Sequence, residues 1–179
     1  MIENVKFKNV NIVNFSNIIP MLLFLIGIII CSQITIPLPT GVPITLQTFS
    51  IALMGFSLGY KKGSLVILSY ILLGICGLPV FSSFSNGLST VLGVTGGFII
   101  GFIPMVILCG LSNNIRNKFG KILLIILSLF MCHIFGIVQY SILMNINITT
   151  SFLLVSAPFL IKDLISIFLA FFASKKLYF

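Results

Sequence analysis

Acidic residues are almost absent from this sequence. Its 179 residues include only two carboxylates, Glu3 and Asp163, against ten lysines and arginines. Charged residues make up 7% of the chain, whereas they make up about 25% of a soluble domain. This scarcity of charge excludes a soluble globular fold. The two carboxylates also lie far apart in the sequence, which argues against acid–base catalysis and against a proton relay.

Motifs that would indicate catalysis or metal binding are missing as well. No Gly-x-x-x-x-Gly-Lys-Ser/Thr phosphate loop is present, so we do not expect the chain to use ATP by itself. The spacing of the four cysteines fits no zinc or redox pattern, and we interpret them as small hydrophobic residues. They are Cys31, Cys76, Cys109 and Cys132. We therefore predict a protein that is not an enzyme and has neither a metal nor a resident cofactor.

Long hydrophobic runs dominate the chain, in which 59% of the residues are hydrophobic. A helix needs about 20 apolar residues to cross a bilayer. Six apolar runs, separated by segments that contain Pro, Gly or Lys, predict an all-α membrane protein. We expect a single transmembrane domain over 1–179, in which a polar segment 1–16 precedes six helices. The predicted helices cover 18–36, 44–58, 64–76, 90–111, 122–144 and 152–174.

Basic residues alternate between successive loops. None lies in the loops 37–43, 80–89 and 145–151, whereas nine of the ten lie at the termini or in the other loops. These nine are Lys6, Lys8, Lys61, Lys62, Arg116, Lys118, Lys121, Lys175 and Lys176. Because lysine and arginine accumulate on the cytoplasmic side, the pattern predicts that both termini are cytoplasmic.

Lys162 and Asp163 depart from that pattern, since they lie inside the sixth run. An ionisable side chain within the membrane costs several kcal/mol, so it is a functional candidate. Adjacent helical positions point about 100° apart, and we expect the two side chains to reach a third group, or separate groups, rather than each other. His133, in the fifth run, has no carboxylate three or four residues away. We interpret it as a packed, hydrogen-bonded neutral residue.

Small residues recur at intervals of four along several runs, a spacing that lets helices approach closely. Internal packing and docking onto another membrane subunit are both open interpretations of these ladders. They comprise Gly55, Gly59 and Gly63, then Gly93, Gly97 and Gly101, and a weaker pair, Gly27 and Cys31. Polar residues collect in segments 37–48 and 77–97, at the predicted outer ends of the helices. That distribution favours a binding cup over the alternative, a stand-alone facilitative permease.

The polar segments also carry long ordered motifs. They read Gln33-Ile-Thr-Ile-Pro-Leu-Pro39, Val42-Pro-Ile-Thr-Leu-Gln-Thr48, Gly55-x-x-x-Gly59, Tyr70-x-x-x-Gly74-x-x-Gly77-Leu-Pro-Val-Phe81, Thr95-Gly-Gly-Phe-x-x-Gly-Phe102 and Pro158-Phe-Leu-x-x-Asp163-Leu. Over about residues 20–173 the sequence resembles BioY, the family of biotin-specific substrate-binding subunits of energy-coupling factor transporters. The resemblance implies a multi-pass subunit of the bacterial plasma membrane that captures biotin outside. It also implies partnership with a transmembrane coupling subunit and two cytoplasmic ATPase subunits.

Five positions depart from the family's usual pattern. Lys162 stands where a Gly is common, Ser166 where a later Lys is common, and Val94 where a Pro commonly precedes the Thr-Gly-Gly motif. Gly27 and Cys31 replace the Ala-x-x-x-Ala motif on the first helix, and they are the candidate docking residues. If Lys162 takes over the work of the missing lysine, the ligand geometry differs from that of other members.

Biotin requires a cation for its carboxylate, acceptors for its ureido N–H groups and an apolar wall. We expect Asp163 to accept a ureido N–H, and Asn86 and Gln47 to add amide contacts. Lys162 either meets the ligand carboxylate or neutralises Asp163, and the sequence leaves both open. Phe81 and Phe84 are predicted for the apolar wall, with Thr95 and Gly96 beside the ligand. The predicted lid is the loop 37–48, through Pro39, Val42, Pro43 and Thr45.

Overall fold

The computed structural model describes residues 15–177. Most of these residues lie in α-helices, which are joined by loops, one short strand pair and two 3-10 turns. Glu3, Lys6 and Lys8 lie outside the described residues. The α-helices are α1 (Phe15–Gln33), α2 (Gln47–Ile75), α3 (Gly87–Leu92), α4 (Gly96–Leu111), α5 (Lys118–Met144), α6 (Ile148–Val155) and α7 (Ala157–Ser174). Strands β1 (Thr35–Ile36) and β2 (Ile44–Thr45) pair antiparallel. The all-α prediction is confirmed, but the described residues form seven helices instead of six.

Helix α2 reverses direction at Gly59, where φ is 73° and ψ is 174°. Gln47 Nε2 donates a 2.9 Å hydrogen bond to Tyr70 Oη, although 23 residues of straight helix would span roughly 35 Å. The element is therefore a hairpin of two antiparallel arms, 47–58 and 60–75. Only glycine adopts this backbone conformation readily, which explains how two predicted runs became one continuous helical element.

Two other predicted runs are divided by local breaks. The run 90–111 splits at Gly93, whose backbone is extended, into the short α3 and the longer α4. The run 152–174 splits at Ser156 into α6 and α7. Pro158 follows directly, and a proline lacks the N–H that would continue the helix. These breaks account for the larger number of helices.

Glycines bring the helices into close contact. A Cβ on Gly97 would lie 2.2 Å from the Phe135 carbonyl oxygen, and one on Gly101 would lie 2.9 Å from Cys132 Cα, so α4 packs backbone to backbone on α5. A Cβ on Gly55 would lie 2.7 Å from Cys109 Cβ, which joins α2 to α4. In these ladders the structure therefore uses glycine for internal packing.

The two ends of the bundle differ in charge. At one end, Asn113 donates to the Phe56 carbonyl and the ammonium groups of Lys121 and Lys175 lie 5.7 and 5.0 Å from the Phe171 ring. Seven of the eight basic residues that the structure describes gather here: Lys61, Lys62, Arg116, Lys118, Lys121, Lys175 and Lys176. Lys162 lies toward the opposite end, beside β2.

By length and composition, four helical elements are apolar enough to cross a membrane: Gln47–Ile75, Gly96–Asn114, Lys118–Met144 and Ala157–Ser174. The first of them meets the length only as a whole element, since it folds back at Gly59 into two shorter arms. Ile18–Gln33 is a shorter apolar helix. Many large hydrophobic side chains on these helices face outward, among them Leu23 and Phe130. An apolar exterior of this kind is typical of a multi-pass membrane protein.

Candidate ligand-binding cavity

A cavity lies between the loop 34–46 and helices α2, α4, α5 and α7, toward the end that carries Lys162. Its free volume is about 50 Å³, well below the usual range of ligand pockets, so the cavity must widen to admit a ligand. The polar side chains that line it include Thr45, Gln47, Thr48, Thr95, His133, Lys162 and Asp163. The apolar side chains include Val42, Pro43, Phe98, Ile99, Phe102 and Phe159.

Asp163 is the buried carboxylate of this cavity, with 4% of its surface exposed. The Lys162 ammonium contacts its Oδ1 directly, and His133 Nε2 lies 3.3 Å from its Oδ2. The expectation that Lys162 and Asp163 would not meet is therefore wrong. The long, flexible lysine side chain folds back over its neighbour. Removing Lys162 would leave the buried Asp163 carboxylate without its cation, whereas the Lys162 side chain itself is only partly buried.

Lys162 also fastens the loop that covers the cavity. Its ammonium donates a 2.8 Å hydrogen bond to the Thr45 carbonyl in β2. The same loop is tied to α5 where Tyr140 Oη donates to the Thr40 carbonyl at 3.2 Å. Val42, Pro43 and Thr45 line the cavity as predicted for the lid, whereas Pro39 is exposed on the loop.

Gln47 lines the cavity, but its amide is already engaged within the protein. Nε2 donates to Tyr70 Oη, and Oε1 accepts a 3.0 Å hydrogen bond from the Thr45 hydroxyl. These bonds fix the junction between the lid and α2. Thr95 also lines the cavity, and Gly96 lies behind it, packed against the Val91 carbonyl and the Gln139 amide.

Three predicted ligand contacts lie away from the cavity lining. Asn86 is exposed before α3, and Phe84 is 68% exposed. Phe81 is fully buried in the core, with its ring edge-on to Tyr70 at a centroid distance of 5.4 Å. The aromatic wall is formed instead by three other phenylalanines, Phe98, Phe102 and Phe159.

Sequence reasoning missed that wall, although one signal for it was present. Phe98 and Phe102 follow Thr95 at helical spacings of three and then four, which places both side chains on one face of α4. His133 carried no such signal. The carboxylate that it meets belongs to α7, 30 positions later in the chain, and only tertiary packing brings them together.

The predicted docking residues lie on a different surface. Gly27 and Cys31 border an apolar groove between α1 and the first arm of α2, beside Phe24 and Leu53. A Cβ on Gly27 would meet no atom within 4 Å. The groove is thus open space on the outside of the bundle.

A cavity under a covering loop, with a buried carboxylate paired to a lysine and set in an apolar helical bundle, defines a solute-binding membrane protein. Comparison with known proteins specifies the class further. The BioY family model matches residues 4–178, and the chain belongs to that family.

Relatives and a solved structure agree with this assignment. The chain is 41% identical over 93 residues to the biotin transporter BioY of Thermotoga maritima, covering 52% of this chain and 54% of that one. It is 36% identical over 126 residues to a probable biotin transporter BioY of Pyrococcus horikoshii, covering 69% and 73%. The aligned region thus spans about half the length of the first relative and nearly three quarters of the second.

The fold resembles a crystal structure of the S-component for biotin from an ECF-type ABC transporter. The TM-score is 0.79 at 27% sequence identity, and the match covers 92% of this chain and 94% of that one. The family is one of transporters.

Proposed function

We propose that this chain binds biotin in the cavity beneath the lid and delivers it for uptake as the substrate-binding subunit of an energy-coupling factor transporter. One observation carries the proposal: the buried Asp163 carboxylate, with the Lys162 ammonium against it, faces an aromatic wall under the Thr45 segment. Family membership and the similarity to a biotin S-component support it.

The chemistry of biotin matches this arrangement group by group. Asp163 accepts a ureido N–H, since a carboxylate oxygen is the strong acceptor that a buried N–H requires. Phe98, Phe102 and Phe159 face the thiophane ring and the valeryl chain. Thr48 and Thr95 are further polar candidates on the lining, and Gln47 lines it with an amide already bonded to Tyr70 and Thr45. Asn86 and Phe84 have no part in the proposed contacts.

Topology and location form part of the proposal. The chain crosses the bacterial plasma membrane six times. In this count the two arms of α2 are separate crossings, and α3–α4 and α6–α7 form one crossing each. Both termini are then cytoplasmic, on the side of the seven clustered basic residues, as lysine and arginine distributions require. The cavity opens outward.

The proposed partners are a transmembrane coupling subunit and two cytoplasmic ATPase subunits. The chain has no phosphate loop of its own, so energy for release of the ligand comes from hydrolysis by the ATPases. The α1 groove around Gly27 and Cys31 is the proposed contact with the coupling subunit.

Calorimetric titration of the detergent-purified chain with biotin tests the capture step. We expect nanomolar binding, about −12 kcal/mol, without any ATPase present. No heat, together with no competition by biotin at micromolar concentration, would contradict the proposal and favour the permease alternative.

Biotinamide, which lacks the negative charge, separates the two roles of Lys162 in the same experiment. A large loss of affinity places the ammonium on the ligand carboxylate. Equal affinity for both ligands assigns it to the neutralisation of Asp163.

A further inference from the structure

His133 connects the break between α6 and α7 to the buried carboxylate. Its Nδ1 lies 2.9 Å from the Ser156 hydroxyl, and its Nε2 lies 3.3 Å from Asp163 Oδ2. All three side chains are buried. The Phe98 ring, which belongs to the cavity wall, stands edge-on to the imidazole at a centroid distance of 6.0 Å.

The hydrogen-bond partners define which ring nitrogen carries the proton. An ionised carboxylate only accepts hydrogen bonds, so Nε2 must be the donor toward Asp163. In the neutral imidazole Nδ1 is then the acceptor, and the Ser156 hydroxyl donates to it. The chain of donors runs from Ser156 through His133 to Asp163.

We propose that His133 is a positioning residue that holds the Asp163 carboxylate in the orientation that receives the ligand, with Ser156 fixing its tautomer. This inference rests on the proposed function. A carboxylate has about four lone-pair positions. His133 Nε2 lies beside Oδ2, the Lys162 ammonium contacts Oδ1 as an ion pair without satisfying it as a hydrogen-bond acceptor, and the Thr48 hydroxyl is a further neighbour. The carboxylate is thereby held from several helices, with acceptor capacity left for a ureido N–H.

The first test reads the tautomer and needs no ligand. His133 is the only histidine in the chain, so NMR of isotope-labelled imidazole nitrogens in a tag-free preparation observes it alone. We expect a protonated Nε2 and an unprotonated Nδ1. The Ser156→Ala variant should shift the population toward the other tautomer. A protonated Nδ1 in the native chain, or a spectrum that Ser156→Ala leaves unchanged, would overturn the proposal.

The second test is a double-mutant cycle on biotin affinity. We expect His133→Ala to weaken binding about tenfold, since one hydrogen bond to a buried charge is lost. His133→Gln should restore affinity to within about threefold, because its amide can donate near the position of Nε2. In the Asp163→Asn background, His133→Ala should change affinity less than about twofold, as expected for residues that act as one unit.

A control separates this role from general packing. Ser128→Ala removes a buried hydroxyl from the same helix, bonded to the Ile125 carbonyl and away from the cavity, and it should leave biotin affinity unchanged. His133 does not act through Asp163 if His133→Ala weakens biotin binding by the same factor in the native and Asp163→Asn backgrounds. The same conclusion holds if His133→Gln fails to restore binding. Failure of the native chain to bind biotin would contradict the proposed function instead. The NMR measurement of the His133 tautomer needs no ligand and is judged by its own result.

Discussion

Lys162 joins the loop 34–46 to the cavity beneath it: its ammonium donates to the Thr45 carbonyl, 117 positions earlier in the chain, and contacts the Asp163 carboxylate at the same time. One cation thus holds a covering loop closed and neutralises the acidic group beneath it. Hydrogen bonds from a charged donor are roughly twice as strong as neutral ones, so this residue is well suited to hold the lid.

Replacing Lys162 should therefore shorten the lifetime of the complex. We expect Lys162→Met to raise the dissociation rate of biotin about tenfold or more and to change the association rate less. The measurement is the release of radiolabelled biotin into excess unlabelled ligand. Lys176→Met removes the same charge at the other end of the bundle and should have no effect. An unchanged dissociation rate for Lys162→Met would argue against a role in holding the lid.

Asp163→Asn should weaken biotin binding about tenfold or more. The amide is a poorer acceptor for a buried N–H, and its own NH₂ group can face a donor, which costs about 1–3 kcal/mol. Titration calorimetry measures the loss. Ser174→Ala, which removes a buried hydroxyl near the far end of α7, is the matched control, and equal affinities for all three proteins would refute the assignment.

Two glycines should differ in how a single added methyl group changes the stability of the protein. Gly97→Ala places a Cβ 2.2 Å from the Phe135 carbonyl oxygen, and forcing α4 away from α5 should cost about 1–3 kcal/mol. Gly27→Ala meets nothing within 4 Å and should leave stability equal or slightly higher. Thermal unfolding in detergent compares the two variants. A similar fall in Tm for both would contradict the close contact at Gly97.

Filling the α1 groove should separate capture from uptake. Gly27→Leu places a bulky side chain between α1 and the first arm of α2, far from the cavity, so biotin affinity should not change. We expect co-purification with the coupling subunit, and biotin uptake in cells that contain it, to fall strongly. Val138→Leu enlarges an exposed side chain on α5 and should affect neither. Normal uptake by Gly27→Leu would exclude this groove as the docking surface.

The apolar runs predicted the helices well because the bilayer requires long hydrophobic segments whatever the tertiary packing. Where the prediction differed, the cause was local. The turn at Gly59 falls where the sequence already separates two runs, whereas Gly93, and Ser156 with Pro158 two residues later, interrupt predicted runs. Hydropathy does not register such breaks, since the residues on both sides of them remain apolar.

For the cavity, the sequence identified the residues whose chemistry is conspicuous in an apolar chain. Lys162 and Asp163 were found in this way, whereas Val42, Pro43 and Thr45 were predicted from the resemblance of their motif to a known family. Phe81 and Phe84 were not distinguished from the wall residues Phe98 and Phe102, because a chain with 18 phenylalanines gives no indication of which rings face a cavity.

The sequence by itself determined the class of structure, the six apolar runs, the separation of basic residues from polar loops and the membership of a family. All of these depend on composition and on order along the chain. Tertiary structure alone decided that His133 meets Asp163, that Lys162 reaches Thr45 and which phenylalanines form the wall. Those contacts join residues tens of positions apart, and their geometry depends on how the helices pack and not on any local pattern.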